Sequence, residues 1–140
     1  MDNFIRRLSI AALLVISIIV FLPAQKPTVA VIPFENINKN NKSDWLSAGI
    51  AATITNKLVK SPEYIAVERY QINKVIDEQK LQLSGAVDEK TAVNVGRIAA
   101  VTKMIMGDFQ VSGKNIRLSG RIIDVESGEI QKYVPVVAGD

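Results

Sequence analysis

The sequence predicts an α/β domain: a mixed sheet of about five strands in the order β-α-β-α-α-β-β-β, with helices packed on it and a carboxy-terminal antiparallel meander. Three observations carry that prediction. Thr28–Phe34 (TVAVIPF) is a short β-branched, apolar run of the kind buried on both sheet faces. Residues 45–99 are dominated by helical spacing of apolar side chains. From Lys103 onward the period changes to strand-like alternation in three runs parted by glycine-bearing turns.

Each element follows in chain order. After the first strand, Glu35–Lys42 is rich in Asn and Lys and reads as a loop. Ser43 or Asp44 then offers a side-chain oxygen to the orphan amides of a helix that begins at Trp45. Leu46, Ile50, Ile54 and Leu58 recur four apart on one stripe of that helix, and Ser61-Pro62 stops it. Tyr64–Val67 reads as a second strand. The chain turns at Glu68-Arg69 into a second helix carrying Ile72, Val75 and Ile76. Leu81–Gly85 forms a break, and Asp88 caps a third helix with Ala92, Val95 and Ala99 on one face. Two helical crossovers let the early strands lie parallel.

Lys103–Val111, Ile116–Val125 and Glu129–Val137 then form the meander, joined by Ser112-Gly113-Lys114-Asn115 and Glu126-Ser127-Gly128. Along the middle strand, Ile116, Leu118, Gly120 and Ile122 share one face and Arg117, Ser119 and Arg121 the other, which predicts one buried and one wetter side.

The first 24 residues differ in kind. Arg6-Arg7 precedes an uncharged apolar run from Leu8 to Leu22, the pattern of a Sec-type signal peptide or of an uncleaved membrane anchor. Cleavage before Gln25 places small Ala24 but large Leu22 where signal peptidase favours small side chains, so both fates stay open. The run is shorter than the ~20 residues that normally cross a bilayer. In either case the basic flank stays cytoplasmic and the remainder lies beyond the inner membrane, in the periplasm or elsewhere in the cell envelope. Residues 8–22 are the part that can associate with a membrane, and residues 28–140 form the domain.

Composition narrows the chemistry. The chain has 140 residues, 48% hydrophobic and 22% charged, ordinary values for one globular domain. Seventeen basic residues face 14 acidic ones, scattered among each other, so nucleic acid is not an expected partner. The absence of Cys and His removes disulfides, a lipidated cysteine, thiol nucleophiles and the commonest base and metal ligand. No catalytic, cofactor-binding or metal-binding residue is assigned, and the protein is expected not to be an enzyme. A His-free hydrolase built on Asp or Glu remains a rival, which a deep pocket holding two carboxylates of raised pKa would favour.

Ser84 has no base to activate it. Gly107, Gly113 and Gly120 lie in strands and a turn, where they make a poor phosphate cradle. Asp77, Glu78, Asp88 and Glu89 are explained by solvated helix faces and helix starts. Lys103–Val125 has the length of two membrane strands, but Lys103, Asp108 and Asp124 interrupt a lipid-facing band. The candidate interaction residues are Trp45, Glu68 and Arg69. Trp45 either anchors an interface or packs its helix onto the sheet. Glu68 and Arg69 either recognise a partner or act locally, Glu68 at the helix-start amides and Arg69 in a nearby pair.

Taken together, VAVIPFEN (Val29–Asn36), WLSAGIAATITNKL (Trp45–Leu58), VERYQINKVIDEQKLQLSG (Val67–Gly85) and GDFQVSGKNIRLSGRIIDVESGEI (Gly107–Ile130) resemble the curli production assembly/transport component CsgG family, within the TolB amino-terminal-like superfamily. The resemblance implies an exported α/β module that works in envelope assembly or secretion, associated with the outer membrane, by binding other envelope proteins or copies of itself. Pore-forming relatives use a lipidated cysteine and inserted membrane strands, and this chain has no cysteine. A second implication of the resemblance is a monomeric accessory that activates a peptidoglycan synthase or another envelope enzyme.

Overall fold

Among the 140 residues, the computed structural model describes 25–39, 41–79 and 88–138. The leader, Asn40 and the Leu81–Gly85 break with Ser84 lie outside the described residues. The elements run β1 (Thr28–Val31), β2 (Glu35–Asn36), a single 3-10 turn (Asn41–Ser43), α1 (Trp45–Val59), β3 (Ile65–Ala66), α2 (Arg69–Glu78), α3 (Glu89–Ile98), β4 (Lys103–Ser112), β5 (Asn115–Asp124) and β6 (Ile130–Ala138). The strands form one mixed sheet of six in the order β3-β1-β4-β5-β6, with β2 also paired to β4. β1 runs parallel to β3 and β4, whereas β4, β5 and β6 are an antiparallel meander.

The order read from sequence holds, with one added strand. The run predicted as a single strand to Phe34 is cut at Pro33, which has no N–H to give to a ladder. The Ile32 amide still reaches the Ile105 carbonyl, and β2 resumes the pairing at Glu35↔Asp108 and Asn36↔Phe109. Both β1 and β2 therefore line the same edge of β4.

Alternation along the central strands sends side chains into two cores. On one face α1 covers Val31, Phe34 and Phe109 through Ala51, with Leu46, Ile50, Ile54 and Leu58 packed beside them. On the other face α2 and α3 bring Ile72, Ile76, Ala92 and Val95 onto Ala30, Ile32, Met104, Met106 and Ile123. Gly107 marks the closest approach in the sheet. A Cβ built there falls 2.0 Å from the Ser119 carbonyl oxygen and 2.4 Å from the Phe34 ring. Only glycine lets the aromatic lie flat on β4 at that point.

Three local expectations are corrected. Asp44 precedes α1 but makes no side-chain cap, because its Oδ1 accepts instead from Asn36 Nδ2 at 2.8 Å. The cap at α3 does form, with Asp88 Oδ1 accepting from the Thr91 amide at 2.7 Å. β5 has no simple wet side: Ser119 and Ile123 are buried, Ile123 in the core beneath Ala92 and Val95 of α3. Arg121 on that face pairs with Glu89 of α3 at 2.8 Å. Ile116, Leu118 and Ile122, assigned to the buried side, are half-buried.

Candidate interaction surface

α1 and α2 both start near the carboxyl ends of the parallel strands, where open α/β sheets tend to bind their ligands. The approach to α1 is stapled by asparagines. Asn38 Nδ2 donates to the Val111 carbonyl at 3.1 Å, and Asn38 Oδ1 accepts from the Val111 amide at 2.8 Å, so one side chain extends the β4 ladder. Asn36 Oδ1 accepts from the Asn38 amide at 3.1 Å. These side chains hold the loop in place, and Ile37 beside them is exposed.

Trp45 occupies the first turn of α1 and is 71% exposed, so it is not part of the core. Its ring edge lies over Gly49, one turn on, where an added Cβ would stand 4.0 Å from Trp45 Cε3. Glu68 immediately precedes α2 and is exposed, and its side chain caps nothing. Its backbone carbonyl accepts from the Gln71 amide at 3.0 Å. Arg69 does not pair locally. Its Nη1 reaches across to the Ala48 carbonyl in α1 at 3.2 Å, so the first turns of α1 and α2 are tied together.

The three residues singled out from sequence thus gather at one end of the sheet, although 23 positions separate Trp45 from Glu68. Sequence reading missed a fourth. Tyr70, beside Arg69, is 75% exposed. Its signal was available, since Tyr70 falls off the Ile72, Val75, Ile76 stripe that packs α2.

The opposite end has a different character. A groove of about 310 Å³ is lined by Val29, Leu58, Tyr64, Ile105 and Ile122, with Lys103 and Lys132 at its rim. Lys103 Nζ contacts Gln131 Oε1 and lies 3.7 Å from Asp124 Oδ2. A second hollow of about 250 Å³ holds Arg97, Thr102, Asp124 and Glu126. Asp124 sits below the usual carboxylate value of 3.8, chiefly because its oxygen accepts from the Ser127 amide. Asp88 is lowered too, chiefly by its hydrogen bonding with Thr91. Both shifts favour the ionised form, which suits an acceptor in a turn or cap and not a proton donor. Among the described residues, no group of three potential ligands could hold a metal, and no helix is long and apolar enough to cross a membrane.

The model of the family described as curli production assembly/transport component CsgG matches residues 18–136. No curated protein matches the sequence. Among solved structures, the chain is similar to the LpoB C-terminal domain from Salmonella enterica (TM-score 0.64, 13% identity, 82% of this chain and 84% of that one). It is similar to lipoprotein GNA1162 from Neisseria meningitidis (TM-score 0.64, 12% identity, 81% of both chains). A PelC dodecamer from Paraburkholderia phytofirmans shares the fold at TM-score 0.57 and 13% identity, over 84% of this chain and 75% of that one.

Proposed function

This chain belongs to the CsgG family of curli production assembly/transport components, and from that premise we propose that it is a non-catalytic binding module of the cell envelope. The leader exports it, and the surface around Trp45, Glu68, Arg69 and Tyr70 docks another envelope protein or a second copy of the chain. The observation that carries this reading is the exposure of Trp45 and Tyr70 beside the Arg69–Ala48 bond. Two large amphipathic rings left in water on a surface held rigid are the composition of an interface anchor. The Arg69–Ala48 bond fixes the helix starts that carry them, which lowers the entropy that docking would cost.

Self-association draws support from the dodecamer formed by PelC, which has this fold. A ring would need heterologous contacts between different surfaces of neighbouring copies.

The test is native mass measurement of the purified full chain, together with crosslinking and capture in the envelope, for the wild type and for W45A/Y70A. The expected outcome is an oligomer or a specific captured protein that the double variant loses while keeping its fold. Capture of a peptidoglycan synthase by a monomeric chain would make the module an enzyme accessory. A strict monomer at high concentration removes the ring, and capture unchanged by the double variant removes the proposed surface.

A further inference from the structure

The chain enters the domain at the end opposite Trp45, and what surrounds that entry has a recognisable chemistry. The Pro27 carbonyl accepts from the Ile65 amide at 3.0 Å, so the first described residues are bound to β3, the edge strand. Next to it, Val59 is 63% exposed and Ile65 52%, with Tyr64 also exposed. Lys26, Lys57 and Lys60 are exposed around these side chains, and Glu63 is the acidic residue among them. At the same end of the sheet but across it, Glu126 and Glu129 are exposed in the β5–β6 turn. The entry corner is basic and apolar, whereas at the far corner Glu126 and Glu129 stand among Arg97, Lys103 and Lys132.

We propose that this corner, from the close of α1 through β3, rests against the surface of an anionic lipid bilayer in which residues 8–22 are retained. The inference rests on the reading of the chain as an exported envelope protein. Tether length argues for it. Pro23–Pro27 can span no more than about 17 Å fully extended, less than the breadth of a small domain, on the order of 30 Å. A lead of that length keeps the entry point within about 17 Å of the bilayer, so the surface around it is the part of the domain nearest the headgroups. The composition there suits that place. Lysines keep their ammonium groups among phosphates while their stems and the Val59, Tyr64 and Ile65 side chains sit at the level of the first acyl carbons. Charge adds to this: the lysines of the entry corner are drawn to anionic lipid. The same geometry points Trp45 and Tyr70 away from the bilayer, where a partner can reach them.

The test uses the full chain reconstituted in vesicles of phosphatidylethanolamine and phosphatidylglycerol with brominated acyl chains. The wild type reports through Trp45, its one tryptophan, and W45F/Y64W reports from the entry corner. Loss of most of the emission is expected for W45F/Y64W and little for the wild type. That loss is expected to shrink when K57E/K60E is added or when phosphatidylcholine replaces the anionic lipid. Equal quenching at the two positions, none at either, or quenching indifferent to both lipid charge and K57E/K60E overturns the orientation. Sequencing the amino terminus of the mature chain from cells adds an independent check. A terminus at Gln25 overturns the tether, yet it leaves the capture result for W45A/Y70A standing, so the two proposals fail separately.

Discussion

The two ends of the sheet are built by different means. At the carboxyl ends of the parallel strands, long-range polar contacts set the surface: Asn38 on the β4 backbone, Asn36 on Asp44, and Arg69 on the α1 backbone. At the amino ends turn chemistry close in sequence is added to cross-links between elements, Thr102 on the Thr28 carbonyl and Lys103 on Gln131 and Asp124. Ala100 takes φ 53° to close α3, and the Val101 amide returns to the Gly96 carbonyl at 3.0 Å. Asp124 gathers the Glu126 and Ser127 amides, and Gly128 supplies φ 76°. One end is a platform fixed by contacts between elements, and the other adds local turn closures to such contacts. Changes where elements cross should therefore be tolerated poorly, and changes confined to a local turn should be felt at that turn.

One sheet lies beneath both ends, so the largest expected effect is on the sheet itself. Gly107→Ala drives a Cβ into the Ser119 carbonyl, a backbone atom that cannot swing aside. A loss of about 4 kcal/mol or more is expected, read as a collapse of the urea midpoint with both ends lost together. Phe109→Ala empties a fully buried position under α1. It should cost about 3 to 4 kcal/mol while leaving the α2–α3 core able to fold, so the protein persists at a lower melting temperature. If Gly107→Ala proves mild, β4 and β5 can separate locally and the ends need not act as one body.

What could be read beforehand follows the same division. The helices, the meander, its two glycine turns and the Asp88 cap were legible because each rests on a period or a local side-chain preference. The Asp44 cap failed because a tertiary partner, Asn36, took its oxygen. The second helix start was legible, but the reach of Arg69 to Ala48 was not, since nothing in sequence places α1 beside α2. The polar side assigned to β5 likewise depended on where α3 came to rest. Residue type flagged Trp45, Glu68 and Arg69, whereas their assembly into one surface is a property of the topology.

A smaller effect separates function from fold. Removing both rings with W45A/Y70A should leave stability within about 0.5 kcal/mol, as for surface changes that touch no core. Partner binding should fall by about 2 kcal/mol, roughly thirty-fold. Arg69→Ala then discriminates between a contact residue and a strut. If Arg69 works by holding the two helix starts together, its loss should weaken binding and also raise hydrogen exchange at the α2 amino terminus.

At the other end, Ala100→Gly should stabilise the protein by about 1 kcal/mol, since glycine carries no penalty in the left-handed region that Ala100 is forced to occupy. A thermal melt measures it. No change in lipid orientation should accompany it if α3 closes independently of the entry corner.

The smallest effect reads both ends at once through acid. Asp88 lies at the start of α3, toward the carboxyl ends of the parallel strands, and Asp124 holds the β5–β6 turn at the amino ends. Both carboxyls are lowered from 3.8, so each binds a proton less readily folded than unfolded. Their contribution to stability is therefore complete above the unfolded value, starts to fade as pH falls through about 3.8, and is lost below the folded value. The melting temperature should hold level from neutral pH down to about 5 and decline modestly below 4. Asn can still accept the Thr91 and Ser127 amides through its carbonyl oxygen but does not titrate in this range. D88N and D124N should each flatten part of that acid decline, and the double variant more than either. If only D124N does so, the acid-sensitive end is the one where the turns close locally, and the α3 cap is stabilised by packing from Ala92 and Val95 instead of by its charge.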